Sequence, residues 1–119
     1  MTLTTMAKIR VIGMVFGTFL SLLGPSSANA SCGAWGCKGQ ITRIYAQGNG
    51  AILIGTDQDK SQANCTSPNN VYFTVKSNQP ARDTFLAMLI SAQSQNRELH
   101  IRIVENTSDC EVMYIVMDQ

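Results

Sequence analysis

Four cysteines, Cys32, Cys37, Cys65 and Cys110, constrain this chain more than any other feature, and all four lie beyond residue 30. An even number of cysteines in a short exported segment reads as two disulfides, with three connectivities open. The spacings disfavour the functional alternatives. Four residues separate Cys32 from Cys37, so the redox Cys-x-x-Cys spacing is absent. A four-cysteine zinc site would show two close pairs, whereas Cys65 and Cys110 stand 45 residues apart. No cofactor or metal is expected.

The stretch ahead of the cysteines explains why an oxidising compartment is expected. Residues 1–10 carry Lys8 and Arg10 and no acid, residues 11–23 (VIGMVFGTFLSLL) are apolar, and GPSSANA follows. A charged start, an apolar run and a small-x-small ending make an export signal, with cleavage expected between Ala30 and Ser31. Thirteen apolar residues reach about 20 Å as a helix, short of the ~30 Å hydrocarbon core, so no membrane span is expected. A lipoprotein signal needs a bulky aliphatic three residues before the modified Cys, and Asn29 stands there. The expected product is therefore exported, periplasmic or secreted, and free of a lipid anchor.

Cleavage would leave 89 of the 119 residues, enough for one small domain and too few for a two-domain enzyme. Beyond residue 30, seven Lys and Arg face eight Asp and Glu, a net charge of −1. Such a surface excludes nucleic acid as an expected partner, because non-specific affinity there comes from basic charge. Two Asn-x-Ser/Thr tripeptides, starting at Asn64 and Asn106, matter only where exports are glycosylated.

The apolar patterning predicts five strands and one helix. Residues 40–47 and 51–56 flank Gly48-Asn49-Gly50, a strong hairpin signal because Asn and Gly tolerate positive φ. Residues 57–70 are polar and read as a loop. In residues 71–75, Val71, Phe73 and Val75 share one face, opposite Tyr72 and Thr74. Residues 81–95 hold no Gly or Pro, and Phe85, Leu86, Met88, Leu89 and Ala92 recur at helical spacing, with Ile90 widening the stripe. Residues 98–104 alternate again. The last strand is apolar on both faces, Val112, Tyr114 and Val116 against Met113, Ile115 and Met117. The order β-β-β-α-β-β matches a mainly β, five-stranded OB-like Greek-key barrel with one helix. The alternative is an open antiparallel sheet with the helix across it.

Catalytic machinery is sparse. His100 is the only histidine, and it falls on the polar face of its strand. Asp57 and Asp59 share a polar loop with Lys60, which reads as a solvated run. No Gly-rich phosphate loop precedes a helix, so catalysis is not expected. Trp35, inside Cys32-Gly33-Ala34-Trp35-Gly36-Cys37, is a candidate for stacking on a sugar ring or a partner; the plainer reading folds it back to cap the barrel. Tyr72, with Thr74 and Lys76 on the same face, is a second candidate for ligand contact.

The stretch from Cys37 to Val116, above all TFLAMLISAQSQNRELHIRI followed by SDCEVMYIV, resembles a group of small exported bacterial OB-like proteins. These look like distant relatives of the B subunit of subtilase-type cytotoxin. The resemblance implies an OB fold, a Cys65–Cys110 bridge and glycan-binding ring assembly. In such a barrel the third and fifth strands run parallel and adjacent. Cys65 and Cys110 would then meet at their starts, which leaves Cys32 for Cys37. No sugar-contacting residue is carried over position by position.

The reading that results is an exported, non-catalytic, B-subunit-like binding domain whose ligand is a glycan or a protein. Its rival is a small periplasmic hydrolase, with His100 as base, or an inhibitor presenting the loop at 57–70. A homo-oligomer is also expected. A barrel strand needs only one apolar face, so Met113, Ile115 and Met117 are expected to meet a neighbouring subunit, and Ile115→Lys to give a folded monomer.

Overall fold

The computed structural model describes residues 31–67 and 71–119, together with Gly13 and Gly17. Apart from those two glycines, the expected export signal, Ala30 included, lies outside the described residues.

The elements are β1 (Ser31–Gly33), β2 (Gly36–Ala46), β3 (Ile52–Thr56), a 3-10 turn (Lys60–Gln62), β4 (Tyr72–Val75), α1 (Arg82–Ser94), β5 (Glu98–Ile103) and β6 (Val112–Val116). The fold is mainly β with one helix. An antiparallel path runs β4-β3-β2-β5-β6, and β1 pairs with β2 off that path. Here the structure departs from a closed five-stranded barrel: six strands form an open sheet. Its two ends approach at one point, a parallel bridge between Thr74 and Glu111 in which Thr74 N–H donates to the Cys110 carbonyl at 3.0 Å. Ser67 explains why pairing goes no further on the β4 side. Its hydroxyl accepts from Tyr72 N–H at 2.8 Å and donates to the Tyr72 carbonyl at 2.5 Å, filling the backbone positions that another strand would use.

β2 organises the sheet. Its first half, Gly36 to Gln40, pairs with β5, and its second half pairs with β3. The register slips between Ile41 and Arg43, a β-bulge that bends the strand at the change of partner. Cys37, Gly39 and Ile41 face inward before the bulge, while Thr42 and Arg43 are both exposed. Side-chain parity is thereby reset, and Tyr45 faces out. β2 also starts earlier than residue 40, because a hairpin with β1 extends it. Cys32 and Cys37 sit opposite each other in that hairpin and are disulfide-bonded. The hairpin needs glycine at Gly36, where φ is +139° and a Cβ would collide with the Ile101 carbonyl.

The core collects the inner faces: Ile52 and Ile54 of β3, Phe73 and Val75 of β4, Leu99, Ile101 and Ile103 of β5, and Val112 of β6, all fully buried or nearly so. The helix lies on this core against β2 and β6. Its buried stripe is Phe85, Leu89 and Ala92, with Leu86 and Met88 at the margin. Ile90 does not widen the stripe as expected; it is exposed on the solvent side. The helix ends in a Schellman arrangement: Asn96 takes φ +51°, Asn96 N–H donates to Gln93, and Arg97 N–H donates to the Ala92 carbonyl at 2.9 Å. The second disulfide, Cys65–Cys110, ties the segment after the 3-10 turn to the start of β6.

β6 corrects a second expectation. Its register against β5 slips between Arg102 and Ile103, so Met113 is an extra residue between Val112 and Tyr114. Alternation therefore breaks. Val112 and Ile115 face the core, Met117 packs against it, and Met113, Tyr114 and Val116 are exposed. Met113, Ile115 and Met117 do not form one outward face, and Ile115, 8% exposed, is a core residue rather than a subunit contact.

Candidate ligand-binding groove

The outer face of β2, β3 and β4 carries a concavity. Register places its side chains in rows: Arg43, Gly55 and Tyr72 in one, Tyr45, Leu53 and Thr74 in the next. Beyond them the β2–β3 turn brings Gln47 and Ala51 together, with Gln47 N–H donating to the Ala51 carbonyl at 2.9 Å, and Lys76 follows on the β4 side. The turn is held by Asn49, whose Oδ1 accepts from Ala51 N–H at 3.0 Å, and by Gly50 at φ +89°. The groove so formed encloses about 510 Å³, with Ala51, Leu53 and Thr74 as its floor and Asn49, Asn78 and Asp109 among its walls.

At one end the Tyr45 and Tyr72 rings are stacked, their centroids 6.3 Å apart and planes 23° apart. Arg43 Nη1 donates to the Tyr72 hydroxyl at 2.9 Å, fixing the second ring. Gly55 makes this possible by presenting no side chain between them; a Cβ there would already be 3.2 Å from Arg43 Cβ and Thr42 Oγ1. At the other end Lys76 Nζ meets Glu111 Oε2 at 3.0 Å. That hydrogen bond, the Glu111 charge and more distant Asp109 hold Lys76 above the ordinary lysine range.

Thr74 sits between these ends. It is 7% exposed, and its Oγ1 is buried without a hydrogen-bond partner. A buried hydroxyl left unpaired costs about 1–3 kcal/mol, so native proteins leave few of them. Among the described residues the side chains of Gln47 and Asn78 also make no hydrogen bond. The groove thus offers amides, one hydroxyl and an apolar floor, flanked by an aromatic pair and an ion pair.

Other expected site residues fall elsewhere. Tyr72 does not line the groove itself but flanks its end, in a smaller hollow beside Arg43 and Gly55, and Trp35 is on neither. Trp35 folds over Gly33 at the β1–β2 turn, its ring centroid 6.4 Å from that of His100 on β5. The bulky ring fills space a Gly33 Cβ would otherwise take. His100 Nε2 lies 3.1 Å from Asp118 Oδ2 without hydrogen-bond alignment, on a different face from the groove. Of the loop expected at 57–70, residues 57–67 are described, and Lys60, Ala63 and Ser67 anchor that part to the body of the domain. Asp59 Oδ1 accepts from Ser61 N–H at 2.9 Å, Ala63 is buried, and Lys60 is only 7% exposed. Lys60 Nζ stands 4.9 Å above the Phe73 ring, and burial lowers its pKa to about 8. The two Asn-x-Ser/Thr tripeptides lie side by side, with Asn106 N–H donating to the Asn64 carbonyl at 2.7 Å. Among the described residues no cluster of three His, Cys, Asp or Glu is arranged to hold a metal, and no helix is long and apolar enough to cross a membrane.

Sequence reasoning placed Tyr72, Thr74 and Lys76 together through the alternation in 71–75. It missed Gln47, Asn49, Ala51 and Leu53, which read only as a turn and a strand. It also missed Arg43 and Tyr45, whose outward direction depends on the bulge in β2. No protein family, curated protein or solved structure that was compared matches the chain.

Proposed function

We propose that this chain is an exported, non-catalytic binding domain, an OB-like barrel left open at one seam, and that its groove on the β2–β3–β4 face binds a glycan. The observation that carries this reading is the Thr74 hydroxyl, buried and unpaired on the groove floor between a tyrosine pair and free side-chain amides. Sugars present apolar ring faces and many hydroxyls, and this lining answers both. The strand order, the helix between β4 and β5, and the Thr74–Glu111 bridge support the OB-like description. OB folds bind oligosaccharides on the face of their second and third strands, which correspond here to β3 and β4. Two disulfides suit an oxidising compartment and support export. The likeness to a toxin B subunit points to the same ligand class.

The rivals find less support. A hydrolase based on His100 would work away from the groove, and Glu111 is committed to Lys76. An inhibitor loop at 57–70 would need to project, whereas in its described part, 57–67, Lys60 and Ala63 are buried.

The test is a glycan array probed with the oxidised protein starting at Ser31, followed by titration of the best hit. Binding that Thr74→Val weakens about tenfold supports the reading. An array with no hit, or a hit indifferent to both Thr74→Val and Tyr72→Ala, overturns it.

A further inference from the structure

Resting on the glycan reading above, we infer that the groove takes a chain of N-acetylated amino sugars, at least two linked units long, rather than a single terminal sugar.

Length comes from the ladder. Tyr72 opens β4 and Lys76 follows directly after its last residue, Val75, four residues on, which is about 13 Å at ~3.3 Å per residue. One pyranose ring on the Tyr45–Tyr72 pair leaves the Thr74 hydroxyl and the amide-lined half of the groove unfilled. A second ring, linked to the first, reaches them.

The acetamido group follows from what lies in that half. An acetamido group carries one N–H donor, one carbonyl acceptor and a methyl. Gln47 and Asn78 each offer both a donor and an acceptor with no side-chain partner among the described residues, and the Thr74 hydroxyl can donate to a carbonyl. Asn49 spends its Oδ1 on Ala51 N–H and keeps its amino group. Beneath them Ala51 and Leu53 give an apolar floor for the methyl. A plain hexose supplies hydroxyls for the amides but nothing for that floor. Lys76 and Glu111 neutralise each other at this end, and the remaining charge on the wall, the Asp109 carboxylate, suits the N–H and O–H donors of an uncharged sugar and disfavours an anionic one. Thr74 is nine-tenths buried and its unpaired Oγ1 has no exposed surface, so a turn about the Cα–Cβ bond that exchanges hydroxyl and methyl is what brings the hydroxyl to the acetamido carbonyl in this arrangement.

Three probes test this by calorimetry on the oxidised protein: N-acetylglucosamine, its β-1,4-linked trimer, and cellotriose, the glucose trimer of the same linkage. The expected order is the acetylated trimer about tenfold tighter than both the monomer and cellotriose. Tyr72→Ala should reduce the trimer to the affinity of the monomer, and Thr74→Val should remove the preference over cellotriose; circular dichroism checks that both variants fold. Equal binding of monomer and trimer overturns the length. Equal binding of the two trimers overturns the acetamido contact. If none of the three binds while the array returns other sugars, this inference falls and the glycan reading stands. If the array is also empty, the glycan reading itself has failed.

Discussion

Thr74 and Lys60 each carry a polar group into a place where water is scarce, with opposite consequences. Thr74 leaves a hydroxyl unpaired on the groove floor, and valine has nearly the same shape. Thr74→Val should therefore raise stability by about 1 kcal/mol in the free protein while weakening ligand. Urea unfolding checks the first half, and a variant no more stable than the parent would mean the hydroxyl is satisfied in solution. Lys60 is held over Phe73 with a pKa near 8, below its ordinary 10.5, because burial disfavours the ammonium. The unfolded chain keeps its proton up to the ordinary value, so between those pH values it binds more protons than the folded chain. Stability attributable to Lys60 should consequently rise as pH increases from about 8 towards 10.5 and fall again on acidification. Unfolding midpoints of the parent and Lys60→Met across that window isolate the effect; parallel curves would refute it. The burial of neither residue was legible from sequence. Thr74 reads there as a polar position on the same face as Tyr72 and Lys76, and Lys60 as part of a solvated loop, because burial of a polar group depends on partners far along the chain.

Two single-residue bulges decide which side chains face the core and which face water. In β2 the slip at residues 41–43 turns Tyr45 outward onto the groove, and in β6 the extra Met113 turns Ile115 inward. A bulge leaves no reliable mark in a hydrophobic pattern, since both faces of β6 are apolar whichever way it is read. That is why the strand itself was legible while its parity was not. The same contrast holds for α1. Phe85, Leu89 and Ala92 were expected inside and are, whereas Ile90 was placed by its apolarity alone and lies outside. Ile115→Lys should therefore destabilise by about 4 kcal/mol or more, since it puts a charge in the core. Met113→Lys should stay within about 0.5 kcal/mol of the parent. Thermal unfolding of both variants separates the alternatives, and a well-folded Ile115→Lys protein would restore the uninterrupted strand.

At the scale of the molecule, the two disulfides guard different things. Strand order and the position of the helix were legible because five segments announced themselves by period and by turn residues. An open sheet was legible only as the alternative to a closed barrel, because the seam involves Ser67 occupying the backbone of Tyr72. Cys65–Cys110 lies at that seam. Cys110 accepts from Thr74 N–H, Cys65 bridges to Thr107, and Asp109 and Glu111 on either side of Cys110 serve the far end of the groove. Cys32–Cys37 instead closes a two-strand hairpin beside Trp35, away from the groove. Loop-closure entropy gives about 4 kcal/mol for the bridge spanning 45 residues and about 2 kcal/mol for the one spanning 5. The variant with alanine at both Cys65 and Cys110 should thus lose roughly twice the stability of the variant with alanine at both Cys32 and Cys37. The seam adds a second contrast that entropy alone does not predict. Under conditions where both variants remain folded, the first should also bind glycan more weakly, because the turn carrying Asp109 and Glu111 is no longer tied to Cys65, while the second should bind like the parent. Urea unfolding and titration on the two double variants measure both effects. Equal loss of binding in the two would show that the bridges act on the groove only through overall stability.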